Sequence, residues 1–263
     1  MYRKNYNDKN YITAEEYFLK GDKVKALEYY QKAAESGIVP AMTACGEIEI
    51  EQNVENALKW FNRAAEFNDV TAMVKLAEIY QNHFKKRNLA QKWLDKAETL
   101  TDLNSVKELA FYYAETGAIK NHTAKAIELY KKAVDMGDKD SLNELGDLYL
   151  SIEKYGAAEH YYLEGAKAGD VRAMLNFGTM MTYLPGNFNA AKFWLTTALQ
   201  RGNIYAFKLL GDLYKEYQNY PKALRWYRKA YKYGEDTQQE IREIKQLFKV
   251  SKIDYKLKLR NFD

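Results

Sequence analysis

The chain has 263 residues, 47% of them hydrophobic, with 40 basic and 36 acidic side chains for a net charge of +4. This length and apolar content suit a folded core, a single cysteine excludes a disulfide framework, and a nearly neutral surface is a poor electrostatic footprint for nucleic acid. No apolar run approaches the ~20 residues of a membrane span, and the polar opening Met1–Asn5 has no signal-peptide core, so a reducing cytoplasmic location is expected, with signal-independent secretion left open.

In chain order, the first unit is degenerate: only Ala14, Tyr17 and Gly21 fit its first helix. From there a marker alanine recurs at Ala26, Ala57, Ala90, Ala126, Ala158, Ala191 and Ala223, in steps of 31, 33, 36, 32, 33 and 32 residues. Such self-similarity is the signature of a repeat array whose contacts run mainly between neighbours. Three and four residues after each marker stand bulky residues (Tyr29 and Tyr30, Trp60 and Phe61, through to Trp226 and Tyr227). Seven residues after stand small ones, from Ala33 to Ala230. Offsets 0, 3, 4 and 7 share one face of an α-helix, here termed helix B.

Eleven residues after each marker come Gly37, Asn68, Thr101, Gly137, Gly169, Gly202 and Gly234. Glycine or asparagine there ends a helix in the left-handed region. The capping residues Asp69, Asp102, Asp138, Asp170 and Asn203 follow and start the next helix, helix A. Helix A begins near Ala41, Ala72, Ser105, Ser141, Ala173 and Ala206, with a core residue four on and Gly or Ala five on. A glycine inside a helix costs about 1 kcal/mol against alanine, so its recurrence at one phase predicts close packing. The fourth unit carries extra residues at Glu115–His122. After Asp236 the beat stops: Ile241, Ile244 and Phe248 predict an amphipathic helix over 237–249, and the basic tail Ile253–Arg260 is expected to be extended or helical.

The units read A-x-x-x-L-G-x-x-Y, a turn, then A-x-x-W/Y-Y-x-x-A-A-x-x-G-D, as in Ser141–Tyr149 and Gly165–Asp170. Over about residues 9 to 236 this resembles the Sel-1-like repeat family, kin of the tetratricopeptide repeats. The resemblance implies an all-α right-handed superhelical solenoid of about seven antiparallel helix pairs in residues 1–236; the residues beyond the beat, 237–263, are expected to form a C-terminal capping helix and basic tail. It also implies a non-catalytic protein–protein interaction scaffold whose helix A lines a concave wall. A regulator that occludes a partner enzyme or effector is the alternative, and an RNA-binding helical repeat is disfavoured by the charge balance.

The residues themselves offer no chemistry to set against this. His83, His122 and His160 fall at unrelated phases, and there is no H-x-x-x-H, C-x-x-C, glycine-rich phosphate loop or G-x-S-x-G, so no catalytic site, metal or cofactor is expected. On helix A, offset 6 reads Glu47, Glu78, Phe111, Asp147, Thr179 and Asp212, and offset 2 reads Thr43, Val74, Lys107, Asn143, Leu175 and Lys208. These twelve form the candidate partner-binding surface. The first ladder is mostly acidic, and Val74, Phe111 and Leu175 add an exposed apolar component. The expected partner is a protein or peptide bearing basic and apolar side chains.

Overall fold

A computed structural model describes residues 7–117 and 121–260, with side chains up to residue 250. Every regular element among them is helical. Residues 1–136 and 137–263 form two compact units. The first holds α1 (Lys9–Leu19), α2 (Lys23–Glu35), α3 (Val39–Glu49), α4 (Val54–Glu66), α5 (Val70–Asn82), α6 (Arg87–Glu98), α7 (Leu103–Glu115) and α8 (His122–Asp135). The second holds α9 (Ser141–Ser151), α10 (Tyr155–Ala168), α11 (Val171–Tyr183), α12 (Phe188–Gln200), α13 (Ala206–Glu216), α14 (Tyr220–Lys232) and α15 (Gln238–Arg260).

Each odd helix from α1 to α13 pairs with the even helix after it, and within each unit the pairs stack on their neighbours. The seven marker alanines are all buried, with exposures of 0 to 2%. They are the points where backbones approach closely. Tyr30, Phe61, Leu94, Tyr130, Tyr162, Leu195 and Tyr227, four residues on, fill the space beside them. The recurrent helix A glycine has a steric cause. A Cβ on Gly46, Gly146, Gly178 or Gly211 would stand 2.4 to 2.8 Å from the side chain of Phe61, Tyr162, Leu195 or Tyr227. Overlap of that kind typically costs about 1–3 kcal/mol through forced shifts of packed atoms.

The junctions follow the cap chemistry. Gly37, Asn68, Gly137, Gly169, Gly202 and Gly234 all have positive φ, and Thr101, a β-branched residue at the same phase, does not. Asp69 Oδ1 accepts from the Ala72 amide at 2.8 Å, Asp102 from Ser105 at 3.1 Å and Asp170 from Arg172 at 2.7 Å. Each such cap stabilises its helix by about 1 kcal/mol. Asp138 does the same for Ser141 from two residues before the formal cap of α9.

The C-terminal region is one long helix, α15, so the tail backbone through Arg260 is helical. Ile244 is fully buried against Tyr214, Ala223 and Tyr227, flanked by Ile241 and Leu247. The fully buried Thr237 donates its hydroxyl to the Tyr227 carbonyl at 2.7 Å, fixing the entry to α15. In the fourth-unit loop, residues 118–120 lie outside the described residues; beside them Asn121 is left-handed, and the Thr116 hydroxyl is 2.7 Å from His122 Nδ1.

Candidate interaction surface

The acidic rungs of helix A divide into two kinds, according to what helix B places opposite them. Where helix B carries tyrosine four residues after the marker, the rung can accept its phenol. Tyr162 donates to Asp147 at 2.5 Å and Tyr227 to Asp212 at 2.7 Å. The degenerate first pair does the same through Tyr30 and Glu15, at 2.7 Å. These phenols are held well above the usual tyrosine range, by burial first and then by the hydrogen-bonded carboxylate. Asp147 also accepts from Asn143 at 3.2 Å and from Asn176 at 3.3 Å. Burial lifts the Asp212 carboxyl above its ordinary range, against the lowering effect of the Tyr227 hydrogen bond and of Lys208. These carboxylates are structural acceptors.

Where helix B carries Phe61 or Leu94, no phenol exists to occupy the rung. Glu47 accepts no hydrogen bond and makes no ion pair among the described residues, and Glu78 holds only Lys75 of its own helix, at 3.0 Å. Glu47 is open to solvent at its side chain, yet the surrounding helices desolvate its carboxyl enough to raise its pKa. Asp69 and Glu78 add to the rise, and Lys75 opposes it. A half-exposed pair such as Lys75–Glu78 contributes little stability.

In the first unit, Glu47, Glu78, Glu108 and Glu115 line a groove of about 430 Å³ across α3, α5 and α7, together with Thr71, Val74, Lys75, Phe111 and Tyr112. It therefore presents four carboxylates against one ammonium. Glu108 accepts from Thr71 at 3.1 Å. Phe111 rises from this floor with 60% of its surface exposed, whereas Tyr112 is buried. Glu108 and Glu115 were absent from the sequence-based set; Glu108 stands three residues into helix A, a phase at which only a neighbouring helix reveals a groove wall.

The offset-2 ladder is placed differently. Thr43, Val74, Asn143 and Leu175 are buried, because this phase lies in the seam between successive helices A. Thr43 donates to Asp69 at 3.2 Å, and Asn143 accepts from Asn176 of the next helix A at 2.9 Å. Of the three apolar rungs expected at the surface, then, only Phe111 is exposed; Val74 and Leu175 are consumed by packing. Lys107 is half-buried, and Lys208 is 3.1 Å from Glu240 of α15. Thr179 lines a separate groove of about 470 Å³ in the second unit, beside Asp147, Asn176 and the apolar wall of Leu150, Tyr155, Met180, Tyr183 and Leu184.

The Sel1 repeat model matches residues 14–38, 42–67, 70–102, 105–138, 173–203 and 208–234, well over half of the chain. The chain belongs to the Sel1 repeat family. The matched Sel1 repeats cover six of the seven helix pairs; α9 and α10 fall between matches but keep the phase of Ala158 and Gly146. A Sel1 repeat protein of Oxalobacter formigenes has a similar structure, with a TM-score of 0.51 at 25% identity over 84% of this chain and 98% of that one. The C-terminal part of a TPR repeat-containing protein from Cytophaga hutchinsonii shares the fold at a TM-score of 0.52 and 14% identity, covering 88% and 98% of the two chains. An uncharacterized protein of Neisseria meningitidis serogroup B is 25% identical over 205 residues, 64% of this chain and 44% of its own length. The chain thus spans less than half of that curated relative. Among the described residues, no helix is long and apolar enough to cross a membrane, and no cluster of His, Cys, Asp and Glu is arranged to hold a metal ion.

Proposed function

We propose that the protein is a non-catalytic interaction scaffold, and that the groove of α3, α5 and α7 receives a partner segment carrying basic and apolar side chains. The observation that supports this most is the unspent Glu47 carboxylate on a wall shared with exposed Phe111. Stacked helices hold the groove before any partner arrives, which limits the ordering cost of binding. Phe111 offers the aromatic anchor, and the carboxylates offer charge complementarity that steers encounter and sets orientation. On this reading residues 1–236 are the working array and 237–263 its C-terminal cover, a role supported by the burial of Ile244 against Tyr227. The occupied rungs Asp147 and Asp212 hold the second unit together instead of greeting a ligand.

Selection of a displayed random peptide library on the full-length protein tests this. The expected winners carry Lys or Arg beside an aromatic or aliphatic residue, and Phe111→Ala or Glu47→Gln abolishes their retention. Winners without basic residues, or retention indifferent to both substitutions, would refute the proposal.

A further inference from the structure

Helix α14 differs from every other helix B in its charge. Its thirteen residues, Tyr220–Lys232, include five cations and no acid. Helices α2, α4, α6, α8 and α10 each carry at least one Asp or Glu, and α12 has neither an acid nor more than one lysine. At 100° per residue, Lys222, Arg225, Arg228, Lys229 and Lys232 fall within about 120° of arc, opposite the face that buries Ala223, Tyr227 and Ala230. All five are exposed. Along the axis they cover about 15 Å, at 1.5 Å per residue.

Among the described residues, no carboxylate pairs with this stripe. Arg225, Arg228 and Lys232 make no ion pair or hydrogen bond among the described residues, and Lys222 and Lys229 lean over rings instead, Lys229 at 4.5 Å from the centroid of Trp226. Of the acids that follow in sequence, Glu235 and Asp236 make no ion pair among the described residues, Asp236 accepting from the Gln238 amide, and Glu240 and Glu243 of α15 are held by Lys208 and Lys215 of α13 at 3.1 and 2.8 Å. At one edge of the stripe Tyr233 stacks on Phe207 at 5.1 Å and remains 54% exposed.

We infer that this face of α14 binds the phosphodiester backbone of single-stranded nucleic acid, with Tyr233 as a stacking platform at its edge. The inference is independent of the acidic groove. Apart from Pro221 in the first turn, the arc contains no apolar residue. It lacks both the core of a protein–protein interface and the apolar face an interfacial membrane helix buries. A phosphate backbone needs neither. It is held by Lys and Arg with counterion release, and exposed aromatic rings add sequence-tolerant stacking. The near-zero net charge of the chain conceals this segregation, because the acids that balance α14 lie elsewhere.

The test uses the full-length protein and fluorescence anisotropy of a labelled oligouridylate of about twelve nucleotides, a length within the span of typical single-strand sites. Binding should weaken steeply with salt. The triple variant Arg225→Gln, Arg228→Gln and Lys232→Gln should bind at least tenfold more weakly. Its slope of log K against log salt should be shallower by about 2, since each phosphate neutralised on a single strand adds about 0.7 to that slope. Tyr233→Ser should weaken binding severalfold and leave that slope unchanged. A control with Lys59→Gln, Lys85→Gln and Lys92→Gln, exposed lysines of the first unit, should bind within twofold of the parent. Far-UV circular dichroism checks that each variant keeps its helices. No binding at low salt, equal loss in the control variant, or preference for phosphatidylglycerol vesicles or polyglutamate over the oligonucleotide would overturn the inference.

Discussion

Apart from Glu15 of the first pair, which is tied to Tyr30, the acidic rungs of the two units use the same helix A phase for opposite ends. In the second unit Asp147 and Asp212 are tied to Tyr162 and Tyr227. In the first, Glu47 and Glu78 face repeats whose helix B supplies Phe61 and Leu94, and their charge remains turned to the groove. One phenol oxygen decides whether an acidic rung serves packing or recognition. In a repeat array, equivalence of position is therefore not equivalence of role.

The steric side of this comparison predicts the largest effect. Gly146→Ala forces a Cβ to 2.4 Å from the Tyr162 ring and should lower unfolding free energy by about 3 kcal/mol, the upper end for overpacking. Gly156→Ala, with nothing within 4 Å of its Cβ, should be neutral or stabilising by about 0.5 kcal/mol. Urea denaturation of both variants checks the pair. Comparable losses would remove the close-packing explanation for the glycine phase.

Recognition comes next. Phe111→Ala should cost on the order of 2 kcal/mol of binding to a selected peptide, as central aromatic anchors do. It should change stability by less than about 0.5 kcal/mol, because the ring is exposed. Calorimetric titration and thermal unfolding separate the two. A large stability loss with intact affinity would make Phe111 a packing residue.

A smaller effect would turn one kind of rung into the other. Phe61→Tyr adds a phenol beside Gly46, at the phase where Tyr162 meets Asp147. If Glu47 accepts it, stability should rise by about 1 kcal/mol, the usual net worth of a hydrogen bond, while affinity for a basic peptide falls. Unchanged affinity would show that Glu47 is not used.

The mildest prediction concerns pH. The Glu47 carboxyl is raised, chiefly by desolvation. A cationic ligand favours its ionised form, so affinity should drop as pH falls through that raised range. The drop should begin at a higher pH than an unperturbed glutamate would give. Glu47→Gln should flatten this limb in titrations between about pH 7 and 4, a span that brackets the ordinary glutamate value. An identical pH profile in the variant would assign the effect to another group.

Much of the architecture was legible because repetition turns weak signals into strong ones. The marker alanines and in-phase glycines recur where paired helices pack, and the Gly-Asp junctions recur as the caps between them. The surface was less legible. Offset 2 looks outward on one isolated helix, but stacking places Thr43, Val74, Asn143 and Leu175 in the seam between successive helices A. The split among acidic rungs was present in the sequence as a pairing of helix A offset 6 with helix B offset 4. It gains meaning only when both helices are seen to face each other. The α14 stripe is invisible in the net charge, because summing over the whole chain cancels it.

The division of the rungs is tested most directly by two unfolding curves measured side by side, for Asp147→Ala and Glu47→Ala. Removing Asp147 strands the Tyr162 phenol and the Asn143 amide and should cost about 2 kcal/mol. Removing Glu47 strands nothing and should stay within about 0.5 kcal/mol of the parent. Equal losses, or a larger loss at Glu47, would contradict the account.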